Sequence, residues 1–151
     1  MSTIKQIVGT AGTVTVTGLD SLASATFVTS AVVDNTTNDP LDLLITLEVT
    51  PGSVASNKQV LLYAKASLDN TNYQSGPESG TTATDEPNLT LIGALPCNTN
   101  STLQRGVFSV SGAFGGALPP YLKFVIKNET GAALAGSGNA LKVAEVTGEV
   151  V

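Results

Sequence analysis

The chain has 151 residues, enough for one domain with a real core, and 42% of them are hydrophobic against 13% charged, a balance opposite to that of disorder. Its net charge is −5, with seven Lys and Arg scattered singly, so it lacks the basic face of a nucleic-acid binder or of a protein drawn to an anionic membrane. The absence of histidine excludes Ser-His-Asp and Cys-His nucleophilic systems within one chain, and most zinc and transition-metal sites go with them.

Residues 1–12, MSTIKQIVGTAG, show one Lys and no continuous apolar run behind it, so no signal peptide is legible. The segment reads as an N-terminal arm or an edge strand ahead of a single β-sandwich domain spanning residues 13–151. Strand candidates follow at residues 12–17 and 23–34. A turn rich in Asp and Asn comes next, with Asp34, Asn35, Asn38, Asp39 and Asp42 close together. These side chains offer several oxygens but lack the D-x-[DN]-x-[DN]-G spacing and bidentate Glu of a calcium loop, so they read as caps on two strands.

In residues 41–50, LDLLITLEVT, the side chains of Leu43, Ile45, Leu47 and Val49 fall on one face, with Leu44, Thr46, Glu48 and Thr50 on the other. That period-2 alternation predicts a half-buried antiparallel strand. Residues 59–68 repeat it, setting Val60, Leu62, Ala64 and Ala66 against Leu61, Tyr63, Lys65 and Ser67. Residues 69–88 form the longest polar connection and are expected to be an exposed loop, with Asp69, Asn70 and Asn72 shaping its first turn.

Further strands are predicted at 88–95, 103–111, 121–127 and 140–147. In YLKFVIK, Leu122, Phe124 and Ile126 are expected to face inward, and Lys123, Val125 and Lys127 outward. Cys97 is the sole cysteine, which rules out an intrachain disulfide and reads as a buried structural thiol. Gly112, Gly115 and Gly116 mark a turn and are not in the strand-to-helix setting of a phosphate loop. The longest uncharged run, residues 106–122, is broken by Gly, Ser and a Pro pair and is too short and interrupted for a spanning helix, so no membrane segment is predicted.

Eight strands at this spacing predict an all-β, two-sheet antiparallel β-sandwich, with an eight-stranded jelly roll as the natural closed arrangement. An immunoglobulin-like order stays open, although a chain without Trp lacks the Cys…Trp…Cys hallmark.

Chemistry is sparse. The pairs Asp85/Glu86 and Glu145/Glu149 supply neighbouring acids, but a glycosidase needs two carboxyls at a set separation across a cleft. No catalytic, cofactor-binding or metal-binding residue is therefore assigned, and a non-enzymatic protein is expected. Sugar sites stack rings on aromatics; the three dispersed tyrosines Tyr63, Tyr73 and Tyr121 leave a glycan as an alternative partner. Four N-x-[ST] sequons occur, at Asn35, Asn88, Asn100 and Asn128, and without a signal sequence or disulfides they read as turn and hairpin chemistry. The low charge of the surface resembles that of buried subunit contacts and points to a homo-oligomer or larger assembly.

Residues 30–76, SAVVDNTTNDPLDLLITLEVTPGSVASNKQVLLYAKASLDNTNYQSG, and 119–143, PPYLKFVIKNETGAALAGSGNALKV, resemble small virion structural proteins of tailed bacteriophages. The resemblance lies in a D-N-polar turn, an L-D-x-x-x-x-L strand, a strand ending S-x-D-x-T-N-Y and an N-x-T-G-x-x-L hairpin, and it spans roughly residues 25–147. It implies a jelly-roll module that decorates or cements a capsid. It equally covers a component of neck, tail or fibre base. The implied partners are the major capsid protein or other virion proteins. The protein would then be made in the bacterial cytoplasm and reside in the virion, without secretion. The family suggests no catalytic residues.

Overall fold

A computed structural model describes residues 3–55 and 57–151. Among these described residues there are ten strands: β1 Ile4–Val8, β2 Gly12–Val14, β3 Phe27–Thr29, β4 Val33–Asp34, β5 Asp42–Val49, β6 Gln59–Ser67, β7 Thr90–Pro96, β8 Gln104–Ser109, β9 Tyr121–Asn128 and β10 Ala140–Val150. All pairings are antiparallel. One sheet runs β1/β2–β10–β5–β8, the other β3/β4–β9–β6–β7, and the two form a β-sandwich.

β1 and β2 are successive pieces of one edge strand along β10, and β3 and β4 stand in the same relation along β9. Counted that way, the first strand pairs with the last, the second with the second-last, β5 with β8 and β6 with β7. The chain is thus one long folded hairpin, its tip at residues 68–89, with successive rungs falling in alternate sheets.

The predicted inward faces meet as expected. Leu43, Ile45, Leu47 and Val49 of β5 are fully buried, as are Val60 and Leu62 of β6 and Leu122, Phe124 and Ile126 of β9. They share one core with Leu141 of β10 and with Cys97. Period-2 alternation places these residues on facing sides of two stacked sheets, which is why apolar burial holds the layers together. At the open side the ring of Phe108 reaches from β8 across to β7 and lies over Gly93 and Gly106. A Cβ at Gly93 would collide with that ring, so a glycine is required for the approach.

Three expectations change. The predicted strand 23–34 is interrupted, because Ala25 is left-handed (φ 60) and Ser30 breaks the ladder by accepting from the Phe124 amide through its hydroxyl, at 2.9 Å. β6 and β9 are covered on both faces: Tyr63, Lys65, Ser67 and Val125 on the nominal outer side are buried too. The cover is the connection 69–88, which is docked along one side and open to solvent on the other. Leu89 at its end packs with Phe27, Tyr63 and Val125 into a second, smaller core. Along its length Gly80 pairs with Phe27, and the Glu78 carbonyl accepts from Thr29 at 2.7 Å.

Candidate functional site

The buried polar chemistry gathers where this connection docks. Lys127 of β9, expected to face solvent, contacts Glu86 at 2.7 Å and Glu129 at 2.8 Å and lies 5.2 Å from the centroid of the Phe27 ring. Tyr63 donates its hydroxyl to Glu86, while Gln59 and Asn57 donate to Glu129. Burial opposes charge on Glu129, but hydrogen bonds from Gln59, Lys127 and Asn57 outweigh it and hold the carboxyl below its usual range. On Lys127 burial likewise works against the charge, and the two glutamates overcome it and raise its pKa. Burial and then the bond to Glu86 push the Tyr63 phenol well up.

Farther along, Lys65 contacts Glu78 at 2.6 Å, and that bond lowers the Glu78 carboxyl. Both carboxylates of the Lys127 cluster are engaged by donors, Glu86 from within the connection and Glu129 from the end of β9, so the Lys127–Glu86 contact fastens the 76–89 segment to β9. The alternation of YLKFVIK hid it. Its one signal was Val125, an apolar residue between two lysines on the supposed solvent face.

The other candidate residues are distributed, and most are engaged in local hydrogen bonds. Asp34 accepts from the amide and hydroxyl of Thr36, which lowers its pKa. Asn38 donates to Glu145 at 2.9 Å, and Asp42 takes the amides of Leu43, Val110 and Ser111 together with the Ser109 hydroxyl. Asp69 accepts from Ser67, Thr71 and Asn72; the bonds from Asn72 and Thr71 hold its carboxyl well below the usual range. Asp85 lies at the start of a 3-10 turn, Glu86–Asn88, and Glu149 stands opposite Lys5 across the β1–β10 ladder. No group of three or more His, Cys, Asp and Glu converges on a metal position among the described residues. Gly115 and Gly116 take positive φ (74 and 94) in the turn after Phe114. Cys97 is fully buried, and burial pushes its thiol up to about 11.

Of the four sequon asparagines, Asn35 and Asn128 are buried, whereas Asn88 and Asn100 are exposed. Asn128 donates to the carbonyls of Leu22 and Ala132, each at 2.8 Å, and accepts from the amide and hydroxyl of Thr130. It is the hub of the β9–β10 connection, in keeping with its reading as hairpin chemistry.

The tyrosines do not form a common exposed platform. Tyr63 is buried, and Tyr73 and Tyr121 flank Ser67 at one end of the sandwich. Tyr73 carries Lys123 over its ring at 4.4 Å and donates to Asn70 at 2.6 Å. It borders a cleft of about 700 Å³ between the start of the 68–89 connection and the β8–β9 loop, lined by Leu68, Phe114, Leu118, Pro119 and Pro120, with Asp69, Asn72 and Gln74 at one side.

The remaining feature is apolar and open. Ile4 is 71% exposed, Val8 57%, Val150 71% and Leu41 48%. Ile4 pairs with Val150 and Val8 with Val146 across the β1–β10 ladder, and Leu41 and Ile4 flank the position of Gly148. These side chains form one patch on the terminal ribbon. Among the described residues no helix is long and apolar enough to cross a membrane. No protein-family model matches the chain, and no curated protein matches it.

Proposed function

We propose that this chain is a non-enzymatic structural protein of a bacteriophage virion, a jelly-roll module that decorates the head and cements its capsomers. The jelly-roll assignment is supported by the strand order, in which eight strands pair first with last, second with second-last and so inward, in two four-strand layers. The virion assignment rests on the resemblance of residues 30–76 and 119–143 to small phage virion proteins.

The observation that carries the structural role is the division of labour among side chains. Most of the acidic and amide groups weighed as chemistry are tied to turns, caps and the docked loop, while apolar surface stays open at the terminal ribbon. A protein that attaches by contact needs that surface, and copies on a repeated lattice act together, so modest contacts per copy suffice. A position at neck, tail or fibre base uses the same chemistry with a different virion neighbour. Mass spectrometry of purified virions tests the proposal: the protein is expected among the particle proteins, and its absence would overturn the virion assignment.

A glycan-binding module is favoured by one feature, the cleft beside Tyr73. Glycan-array binding that disappears in Tyr73→Ala would establish it over pure attachment; a blank array would remove it.

A further inference from the structure

Sheet edges expose unpaired backbone groups, and proteins usually blunt them with Pro, bulges, charge or a covering segment. Three edges here are blunted. β3/β4 is broken at Ser30 and bridged by Gly80 at Phe27. β7 carries a register shift opposite Leu62/Tyr63 and ends in Pro96. β8 exposes Arg105, and its Phe108 closes the gap toward β7.

β1 has none of these devices except a single Lys. Its five residues, IKQIV, are all exposed, and among the described residues no strand lies on its outer side. Thr3 and Val151 exchange both backbone hydrogen bonds, and the Gly9 amide donates to Glu145. Antiparallel ladders alternate between bonded and non-bonded pairs, so Lys5 and Ile7 bond inward to β10. The N–H and C=O groups of Ile4, Gln6 and Val8 therefore point away from the sheet.

We propose that this edge is a self-association site, at which β1 pairs antiparallel with β1 of a second copy about a two-fold axis at Gln6. The choice of occupant follows from register. With Gln6 opposite its own copy, Ile4 meets Val8 of the second chain and Val8 meets Ile4, so all three outward N–H and C=O pairs of each strand are satisfied. On one face this builds a continuous apolar row of Val150, Ile4, and the second copy's Val8 and Val146. On the other face Lys5 stands between Glu149 of its own chain and Ile7 of the second, so no like charges are directly opposed. A shift of two residues one way sets Lys5 against Lys5. A shift the other way leaves Ile4 without an outward partner on β1. The central register is self-complementary in hydrogen bonding, apolarity and charge, which an isologous contact requires.

The inference goes beyond the virion assignment and can fail without it. Light scattering behind size exclusion on the whole protein is expected to give an even multiple of 15.3 kDa, falling by half in Gln6→Pro, which removes a central donor. Gln6→Cys is expected to form an intermolecular disulfide under mild oxidation, since directly opposed residues lie about 5.5 Å apart, within disulfide reach. Gly148→Cys, one strand farther from the axis on each side, is expected to stay uncrosslinked; the native Cys97 is buried and silent. A wild-type monomer over a wide concentration range would overturn the proposal. An oligomer that Gln6→Pro leaves intact and Gln6→Cys does not crosslink would overturn it equally.

Discussion

Replacing Asn128 by Ala removes the hub of the β9–β10 connection, and the structure allows the cost to be worked through. Asn128 is fully buried, and its amide joins three backbone groups: the carbonyls of Leu22 and Ala132 and the amide of Thr130. The Leu22 carbonyl keeps the Leu134 amide, and the Thr130 hydroxyl, whose one proton has Asn128 and the Ala132 carbonyl as alternative acceptors, is left to the Ala132 carbonyl. The two carbonyls each lose one bond, at about 1 kcal/mol apiece, while the Thr130 amide is stranded at about 1–3 kcal/mol. The sum is about 3–5 kcal/mol, which for a domain of this size lowers Tm by roughly 9–16 °C.

Asn128→Asp keeps the shape but turns a donor toward two carbonyls into a carboxylate oxygen. Its folded pKa is then raised, so its penalty is small below the unfolded value of about 4 and grows as pH rises through it. Thermal unfolding of both variants across pH is the assay. An Asn128→Ala protein that melts within about 2 °C of wild type would refute the assignment of Asn128 as a structural hub.

Gly93→Ala drives a methyl into the Phe108 ring and is expected to cost about 1–3 kcal/mol in denaturant unfolding, with Phe108→Leu relieving much of it. An unchanged midpoint would contradict the close approach. Lowered carboxyl pKa values at Glu78 and Glu129 contribute stability that is full above their ordinary range and fades as pH falls below about 4. Amide NMR signals of residues 76–89 should therefore shift before those of β5 during acid titration; simultaneous change would argue against loop docking by these pairs. Cys97 is expected to resist thiol reagents at neutral pH until the protein unfolds, and rapid labelling of the native state would show its burial to be wrong.

The inner architecture was readable because alternation reports a face directly. The odd residues 43 to 49 and the even residues 60 to 66 and 122 to 126 mark the buried sides of β5, β6 and β9 without reference to anything distant. The covering of the outer side was not readable that way. It depends on where residues 69–88 return, and polar composition predicts exposure whether or not one edge docks. Lys127 illustrates the limit: its partners Glu86 and Glu129 lie 41 residues before and two after, and only folding brings them together. The break at Ser30 was similarly hidden, since it arises from a hydroxyl taking a ladder position that the residue pattern assigns to backbone. The register-symmetric edge of β1 was present in IKQIV, but which residues point outward depends on the ladder with β10.

The proposed attachment of this sandwich to a virion is put to the test by quantitative mass spectrometry of purified particles. The protein is expected in a fixed ratio to the major capsid protein, retained through gradient purification. Particles that lack it, while it accumulates free in the lysate, would contradict attachment.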